Sequence, residues 1–199
     1  MSVFNLNIQN ENTDNKIVAG LERLSHVFKA LLWEKAKELG LSPIQIQILI
    51  FLQYHSAEKN TVSYLAREFN ITKPTVSDAV KSLEHKKLVE KINDTKDSRS
   101  YHLKITDTGK QMVKAAEDFT NPFSLVVAGI SENDKEILWE NISGLINTLN
   151  GQGVITVQRS CKSCIHLAQN NDDYFCNLLK QPLQTSDLRI DCPEFSQAV

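Results

Sequence analysis

Apolar side chains in the first part of the chain recur at helical spacing. Five of them follow one another at intervals of four and three residues: Ile17, Leu21, Leu24, Phe28 and Leu31. This period places them on one face of an α-helix that starts near Lys16 and ends near Leu39. Gly40 suits the left-handed position that follows a helix. Residues 1–14 are polar, and we expect them to be frayed.

The next apolar segment, residues 44–52, is ambiguous because its first residues alternate as they would in a strand. Its isoleucines also favour a strand. However, Ser42, Pro43 and Gln45 form a helix start signal, in which a capping serine precedes a first-turn proline and a glutamine completes the capping box. We therefore predict a largely buried helix that ends near Tyr54.

Two short helices follow, over residues 61–69 and from Thr72 onward, with a turn at residues 70–71. Thr72 can cap the second helix, and Pro74 lies in its first turn, where its missing N–H costs nothing. The inward face of this helix carries Val76, Val80 and Leu83. The polar residues left on its outer face are Lys73, Thr75, Ser77, Asp78 and Lys81.

Two strand-like segments, residues 88–92 and 100–105, enclose the polar residues 93–99 and predict a β-hairpin. Thr106 can cap a further helix, which we expect Pro122 to break or kink. A last helix opens with Ser131 and Asp134, and Gly-Gln-Gly at 151–153 ends it. Its apolar face consists of Leu138, Ile142, Leu145 and Leu149.

This order of elements predicts a mainly α-helical (α+β) fold with a winged helix-turn-helix at its centre. In such a unit the second short helix can enter the major groove of DNA. The hairpin tip offers Lys96 and Arg99, and arginine suits a narrow minor groove. Charge sharpens this interpretation. The net charge is −2, but residues 59–105 carry 10 Lys and Arg against 6 Asp and Glu, whereas residues 106–150 carry 3 against 7.

Residues 16–150 resemble the multiple antibiotic resistance regulator (MarR) family of bacterial repressors. The resemblance rests on Leu-Ser-Pro at 41–43 and on the segments 62–77, 80–91, 94–100 and 103–109. The wing of the family usually reads Asp-x-Arg-Asp-x-Arg. Here Asp97 and Arg99 match, Lys96 replaces the first arginine, and Lys87 stands where the family usually has glycine.

The resemblance implies a homodimer that binds a palindromic operator in double-stranded DNA, usually as a repressor. It implies that the first and last helices form the dimer interface. The residues expected to contact DNA are Lys73, Thr75, Ser77, Asp78, Lys81, Lys96, Asp97 and Arg99. A small-molecule effector is a further candidate partner, and the sequence identifies none.

The resemblance does not account for the C-terminal tail, which holds all four cysteines: Cys161, Cys164, Cys176 and Cys192. Cys-x2-Cys places two sulfurs on one tight turn, as a tetrahedral thiolate site or an iron–sulfur cluster requires. We expect Zn²⁺ as the cofactor, with a [4Fe–4S] cluster as the alternative. Free or disulfide-forming thiols remain a third outcome. His166 could replace one cysteine as a ligand.

Other classes of protein are less well supported. We see no signal peptide and no apolar run that could span a membrane, so we expect a cytoplasmic protein. With seven glycines and no phosphate-binding loop, we do not expect an enzyme. A winged helix that binds proteins and an iron–sulfur electron-transfer protein remain alternatives. The predicted parts are an N-terminal dimerisation helix (1–40), a winged helix-turn-helix DNA-binding domain (41–106), C-terminal dimerisation helices (107–150) and a metal-binding tail (151–199).

Overall fold

The computed structural model describes residues 2–93, 101–170 and 173–197. Its α-helices are α1 (Leu6–Gln9), α2 (Thr13–Leu39), α3 (Pro43–Tyr54), α4 (Val62–Glu68), α5 (Lys73–His85), α6 (Asp107–Ala116), α7 (Asn121–Ala128) and α8 (Glu132–Gly151). Its strands are β1 (Val89–Asn93), β2 (Tyr101–Ile105), β3 (Leu167–Asn170), β4 (Asp173–Cys176) and β5 (Gln181–Leu183). Short 3-10 helices lie at Ala57–Lys59, Glu117–Thr120, Cys161–Ser163 and Thr185–Asp187.

Helix α3 lies at the centre of the core, and the capping box predicted for it is present. The Ser42 N–H donates to Gln45 Oε1 at 2.9 Å, and the Gln45 N–H donates to Ser42 Oγ at 3.4 Å. Adjacent positions Ile48 and Leu49 are both buried, as are four other residues of the helix. Burial on several sides explains why the apolar pattern lacked a clear helical period.

The helix-turn-helix is formed by α4, a turn and α5, as predicted. Thr61 and Thr72 cap the two helices, each accepting a hydrogen bond from a backbone N–H three residues later. Asn70 takes a left-handed conformation in the turn, with φ of 51°, which asparagine tolerates better than most residues. The inner face of α5 buries Val76, Ala79, Val80 and Leu83 against the core.

The β-hairpin of the wing is antiparallel and pairs Val89 with Ile105 and Asn93 with Tyr101. After it, the Thr106 hydroxyl accepts from the Gly109 N–H at 3.0 Å and so caps α6. A Cβ on Gly109 would lie 2.2 Å from the Leu88 carbonyl oxygen, so only glycine lets α6 approach β1 this closely.

Three predictions on element boundaries need correction. The segment expected to be frayed contains α1, and α2 begins at Thr13, where Asn12 caps it. Helix α6 ends at Ala116, well before Pro122, because the chain tightens into a 3-10 helix. Pro122 instead lies in the first turn of α7, where a proline costs nothing.

The tail folds into a small antiparallel sheet in the order β3-β4-β5, for which the sequence shows no strand pattern. Leu167 pairs with Cys176, and Cys176 also pairs with Gln181. Among the described tail residues, the buried apolar side chains are Tyr174 and Leu188.

Within the three described ranges, we find no helix with the length and hydropathy needed to cross a membrane.

Lys87 lies between α5 and β1 in a left-handed conformation, with φ of 59°. The Lys87 N–H donates to the Glu84 carbonyl at 2.8 Å, and the Leu88 N–H donates to the Leu83 carbonyl at 2.9 Å. These two bonds close the end of the helix in the manner of a C-terminal cap that usually takes glycine. The lysine therefore holds a strained backbone conformation at this turn.

We predict that Lys87→Gly raises the free energy of unfolding by about 1 kcal/mol, because glycine adopts positive φ without steric cost. Chemical denaturation followed by circular dichroism measures this. The matched control is Lys114→Gly, at an exposed helical position on α6, which should lower stability by about 1 kcal/mol. A loss of stability in both variants would show that Lys87 is not strained.

Candidate nucleic-acid interface and cysteine cavity

The outer face of α5 brings together the five helix residues predicted to contact DNA. Lys73, Thr75, Asp78 and Lys81 are exposed, and Ser77 is half-buried. Lys81 pairs with Asp78 at 3.2 Å, and both side chains are more than two-thirds exposed, so this ion pair is weak and can exchange for another partner. Among the described residues, Lys73 has no ion-pair partner.

The predicted wing residues Lys96, Asp97 and Arg99 lie outside the described residues. The strands that lead to the wing carry lysines whose charges are already paired. Lys91 lies 2.7 Å from Glu84, and Lys104 lies 3.2 Å from Glu90. The hydrogen bond to Glu84 raises the pKa of Lys91 above its ordinary value, with burial acting against it. The basic excess of this region is therefore partly neutralised within the fold.

The two helices predicted to form a dimer interface leave their apolar faces open to solvent. Seven of the nine residues of these stripes are between 41% and 51% exposed: Ile17, Leu21, Leu24, Phe28, Leu138, Leu145 and Leu149. The other two, Leu31 and Ile142, are half-buried. On α7, Leu125 and Val126 are 75% and 71% exposed. Exposed apolar stripes on neighbouring helices are typical of surfaces that contact another molecule.

The four cysteines of the tail line one cavity of about 30 Å³, together with His166 and several leucines. Cys161 and Cys164 lie at the two ends of a 3-10 turn, in which the Cys164 N–H donates to the Cys161 carbonyl at 3.0 Å. Cys176 ends β4, and Cys192 follows the 3-10 helix Thr185–Asp187. The fold thus brings the cysteines together from positions up to 31 residues apart.

The thiol of Cys161 is partly buried and lies among the other three cysteines. Burial raises the pKa of its thiol above the ordinary value, and the charges of Cys192, Cys164 and Cys176 raise it further. The Arg189 N–H donates to Cys161 Sγ at 3.2 Å and lowers the pKa. Among the described residues, no three or more histidine, cysteine or acidic side chains are arranged to hold a metal ion, so the metal site remains a prediction.

A buried arginine joins the tail to the winged helix, and no pattern in the sequence predicts it. The Arg159 side chain is 6% exposed. Its Nε and Nη2 donate to the two Asp191 carboxylate oxygens at 2.6 and 2.7 Å. Its Nη1 and Nη2 donate to the Glu68 carboxylate at 2.6 and 3.1 Å. Arg159 is thus bidentate to one carboxylate in the tail and to one at the end of α4.

Two further side chains complete this cluster. Nη1 of Arg159 donates to the Tyr64 hydroxyl at 2.9 Å, and His55 Nε2 lies 2.8 Å from Asp191 Oδ2. Burial alone would raise the pKa of the Asp191 carboxyl, but hydrogen bonds from Arg159 and His55 hold it well below its usual range. The hydrogen bond to Asp191 raises the pKa of Arg159, burial opposes this rise, and Glu68 adds to it.

Comparison with known proteins assigns the central part of the chain. Residues 39–100 match the model of the MarR family. The winged helix is of the MarR type. This supports the family resemblance for residues 39–100, which include α3, α4, α5 and β1.

Between about half and two-thirds of the chain is similar to known transcription regulators. The crystal structure of the S. aureus MepR–DNA complex is 26% identical, with a TM-score of 0.58, over 70% of this chain and 99% of that chain. S. aureus MepR in its DNA-binding conformation is 25% identical, with a TM-score of 0.59, over 67% of this chain and 98% of that chain. The transcriptional regulator AdcR of Streptococcus pneumoniae is 26% identical over 116 residues, which are 56% of this chain and 77% of AdcR.

Proposed function

We propose that this protein is a DNA-binding transcriptional regulator that acts as a homodimer on a palindromic operator. The observation that carries the proposal is the division of α5 into a buried apolar face and an outer face of short polar and basic side chains. An α-helix with this outer face fits the major groove, which is about 12 Å wide. The similarity to MepR, which was solved as a DNA complex, and to the transcriptional regulator AdcR supports the same function.

The arrangement of the outer face suits both base reading and phosphate binding. Thr75 and Ser77 are short side chains that can hydrogen-bond to base edges, and Lys73 and Lys81 can bind phosphates. The Thr72 and Thr75 hydroxyls lie 2.8 Å apart at the first turn of the helix, which fixes the orientation of Thr75. The rival function, a winged helix that binds a protein, would not require this basic polar face.

We also infer that the open apolar faces of α2, α7 and α8 form the dimer interface. A second copy of the chain is the occupant that would cover stripes on both terminal helices at once. A dimer places two recognition helices about 34 Å apart, one turn of B-DNA, so the operator is a palindrome. Repression is the direction of regulation that we propose, since a dimer across an operator excludes other proteins from that DNA.

For the tail we propose one metal ion bound by Cys161, Cys164, Cys176 and Cys192. Four clustered thiolates repel one another, and a cation removes that repulsion. Zinc is the first candidate, because four cysteines that line one cavity supply a ligand set that structural zinc sites use. A [4Fe–4S] cluster, which four cysteines can also hold, is the alternative. When bound, the ion would supply folding energy to a tail that buries little apolar surface.

DNA binding is tested with Lys73→Ala on the recognition helix and Arg99→Ala in the predicted wing. We expect each variant to weaken binding by about tenfold across DNA sequences and to reduce the salt slope by about one, because each removes a phosphate contact. Fluorescence anisotropy with DNA from upstream of the protein's own gene measures affinity at several salt concentrations. Lys135→Ala, in the acidic α8, is the matched control and should bind as the unmodified protein does. No binding by the unmodified protein at low salt would favour the protein-binding alternative.

The dimer is tested with Leu21→Glu on α2 and Leu145→Glu on α8. A buried unpaired carboxylate is costly, so we expect each variant to shift the protein from dimer to monomer. Light scattering coupled to size-exclusion chromatography measures the mass. Ile92→Glu, at an equally exposed apolar residue on β1, should leave the mass unchanged. A monomeric unmodified protein, or three dimeric variants, would contradict the proposed interface.

The metal site is tested by elemental analysis of protein purified without oxygen. We expect about one zinc ion per chain, or iron and acid-labile sulfide in equal amounts if a cluster is bound. Cys161→Ser and Cys192→Ser should lose most of the metal, whereas His166→Ala should keep it if all four ligands are cysteines. Protein that contains neither zinc nor iron, with all thiols reactive, would contradict the proposal.

A further inference from the structure

Arg159, Asp191, Glu68, Tyr64 and His55 form a cluster, the Arg159 cluster, that lies between the cysteine cavity and the helix-turn-helix. On the tail side, Cys161 lies two residues after Arg159, and Cys192 directly follows Asp191. The Cys192 N–H donates to the Arg159 carbonyl at 2.9 Å, and the Cys161 N–H donates to the Arg189 carbonyl at 2.9 Å. The backbone pairing that places Asp191 against Arg159 therefore also places Cys192 near Cys161.

On the other side, Arg159 binds the helix that supports the recognition helix. Glu68 is the last residue of α4, and Tyr64 lies one turn earlier on the same face. The Ile71 N–H donates to the Ala66 carbonyl at 3.0 Å and holds the turn between α4 and α5. A second contact from the tail lies beside the first, since the Thr156 hydroxyl donates to the Arg67 carbonyl at 2.9 Å. The tail therefore holds the C-terminal end of α4 at two points.

The contact of Arg159 with Glu68 and Asp191 is buried and has a fixed geometry. The Arg159 side chain is 6% exposed and the Glu68 side chain 17% exposed, so neither charge can be left without its partner at low cost. The guanidinium also lies over the rings of Phe51, at 5.7 Å, and Tyr64, at 6.0 Å. Its planar fork fixes both carboxylates in orientation. A change in the position of Asp191 must therefore either move Arg159, and with it the pairing to Glu68, or break the Arg159–Asp191 pair.

We propose that the metal state of the cysteine cavity is transmitted to the DNA-reading helices through the Arg159–Glu68 contact. The proposal rests on the DNA-binding function and the metal site proposed above, and it adds the regulatory path. A filled site fixes Cys161 and Cys192, and with them the backbone that carries Arg159 and Asp191. An empty site frees that backbone and releases the end of α4. Metal and operator binding are then thermodynamically coupled, each changing the affinity for the other.

The first test does not require DNA. Full-length protein is stripped with a chelator, and Zn²⁺ is added back while hydrogen exchange is followed by mass spectrometry. We expect zinc to slow exchange in the peptide that contains α4 and the turn at Asn70, in addition to the tail. In Glu68→Gln the tail should still be protected, because the Arg159–Asp191 pair remains, but the response of α4 should be much smaller, because only the Thr156 contact to α4 is left. Arg159→Met should give the same loss of response.

The second test measures operator affinity with and without zinc. The unmodified protein should show a change of about tenfold, within the usual range of allosteric coupling, and Glu68→Gln should show little or none. Arg67→Met is the matched control, since it removes a neighbouring charge from α4 without breaking the Arg159–Glu68 contact. It should keep the full zinc dependence, whatever its absolute affinity for DNA.

The results distinguish a failure of the Arg159–Glu68 path from a failure of DNA binding or of metal binding. If zinc leaves α4 exchange unchanged in the unmodified protein, or changes it equally in Glu68→Gln, the proposed path is wrong. If zinc alters α4 exchange through Glu68 but the protein binds no DNA, the path stands and the DNA-binding function is wrong. If zinc binds to neither the unmodified protein nor the variants, both the metal site and the path are wrong.

Discussion

The burial of α3 is the constraint on which the arrangement of the other elements depends. Its inner residues pack with α5, α6 and β2, so the recognition helix and the hairpin are both positioned against this one central helix. Its C-terminal end serves a second purpose. The Phe51 ring stacks on His55 at 3.8 Å and lies against the guanidinium of Arg159. One helix therefore organises the winged-helix core and also supplies part of the surface on which the tail rests.

The sequence predicted most of what is determined locally. The caps at Ser42, Thr72 and Thr106 depend on contacts within a few residues, and all three are present. The break after α6 was misplaced, because a proline only shows where a helix cannot continue and does not prevent it from ending earlier. Helix α1 was missed because a helix of one turn has no apolar period to detect.

The Arg159 cluster could not be predicted for a different physical reason. Its members come from three separate parts of the chain, and Glu68 is 91 residues from Arg159. No local pattern relates such positions, and an arginine in a polar tail is ordinarily exposed. The cysteines were found because four rare residues in one segment form a signal by composition alone. The candidate site was thus half predictable: its ligands by residue type, and its connection to the winged helix only by structure.

The tail and the winged helix are stabilised by different interactions. This difference favours a tail whose fold is coupled to the winged helix over a tail that folds independently of it. The winged helix buries a continuous apolar core. The described part of the tail buries the apolar Tyr174 and Leu188, the charged Arg159 and the neutral polar Ser160. A segment with so little apolar burial depends on its polar contacts and on any ion that it binds. Its strongest polar contacts are those that Arg159 makes to Asp191 within the tail and to Glu68 on α4. A change in the tail that moves Arg159 therefore also alters a charge pair that the helix-turn-helix shares.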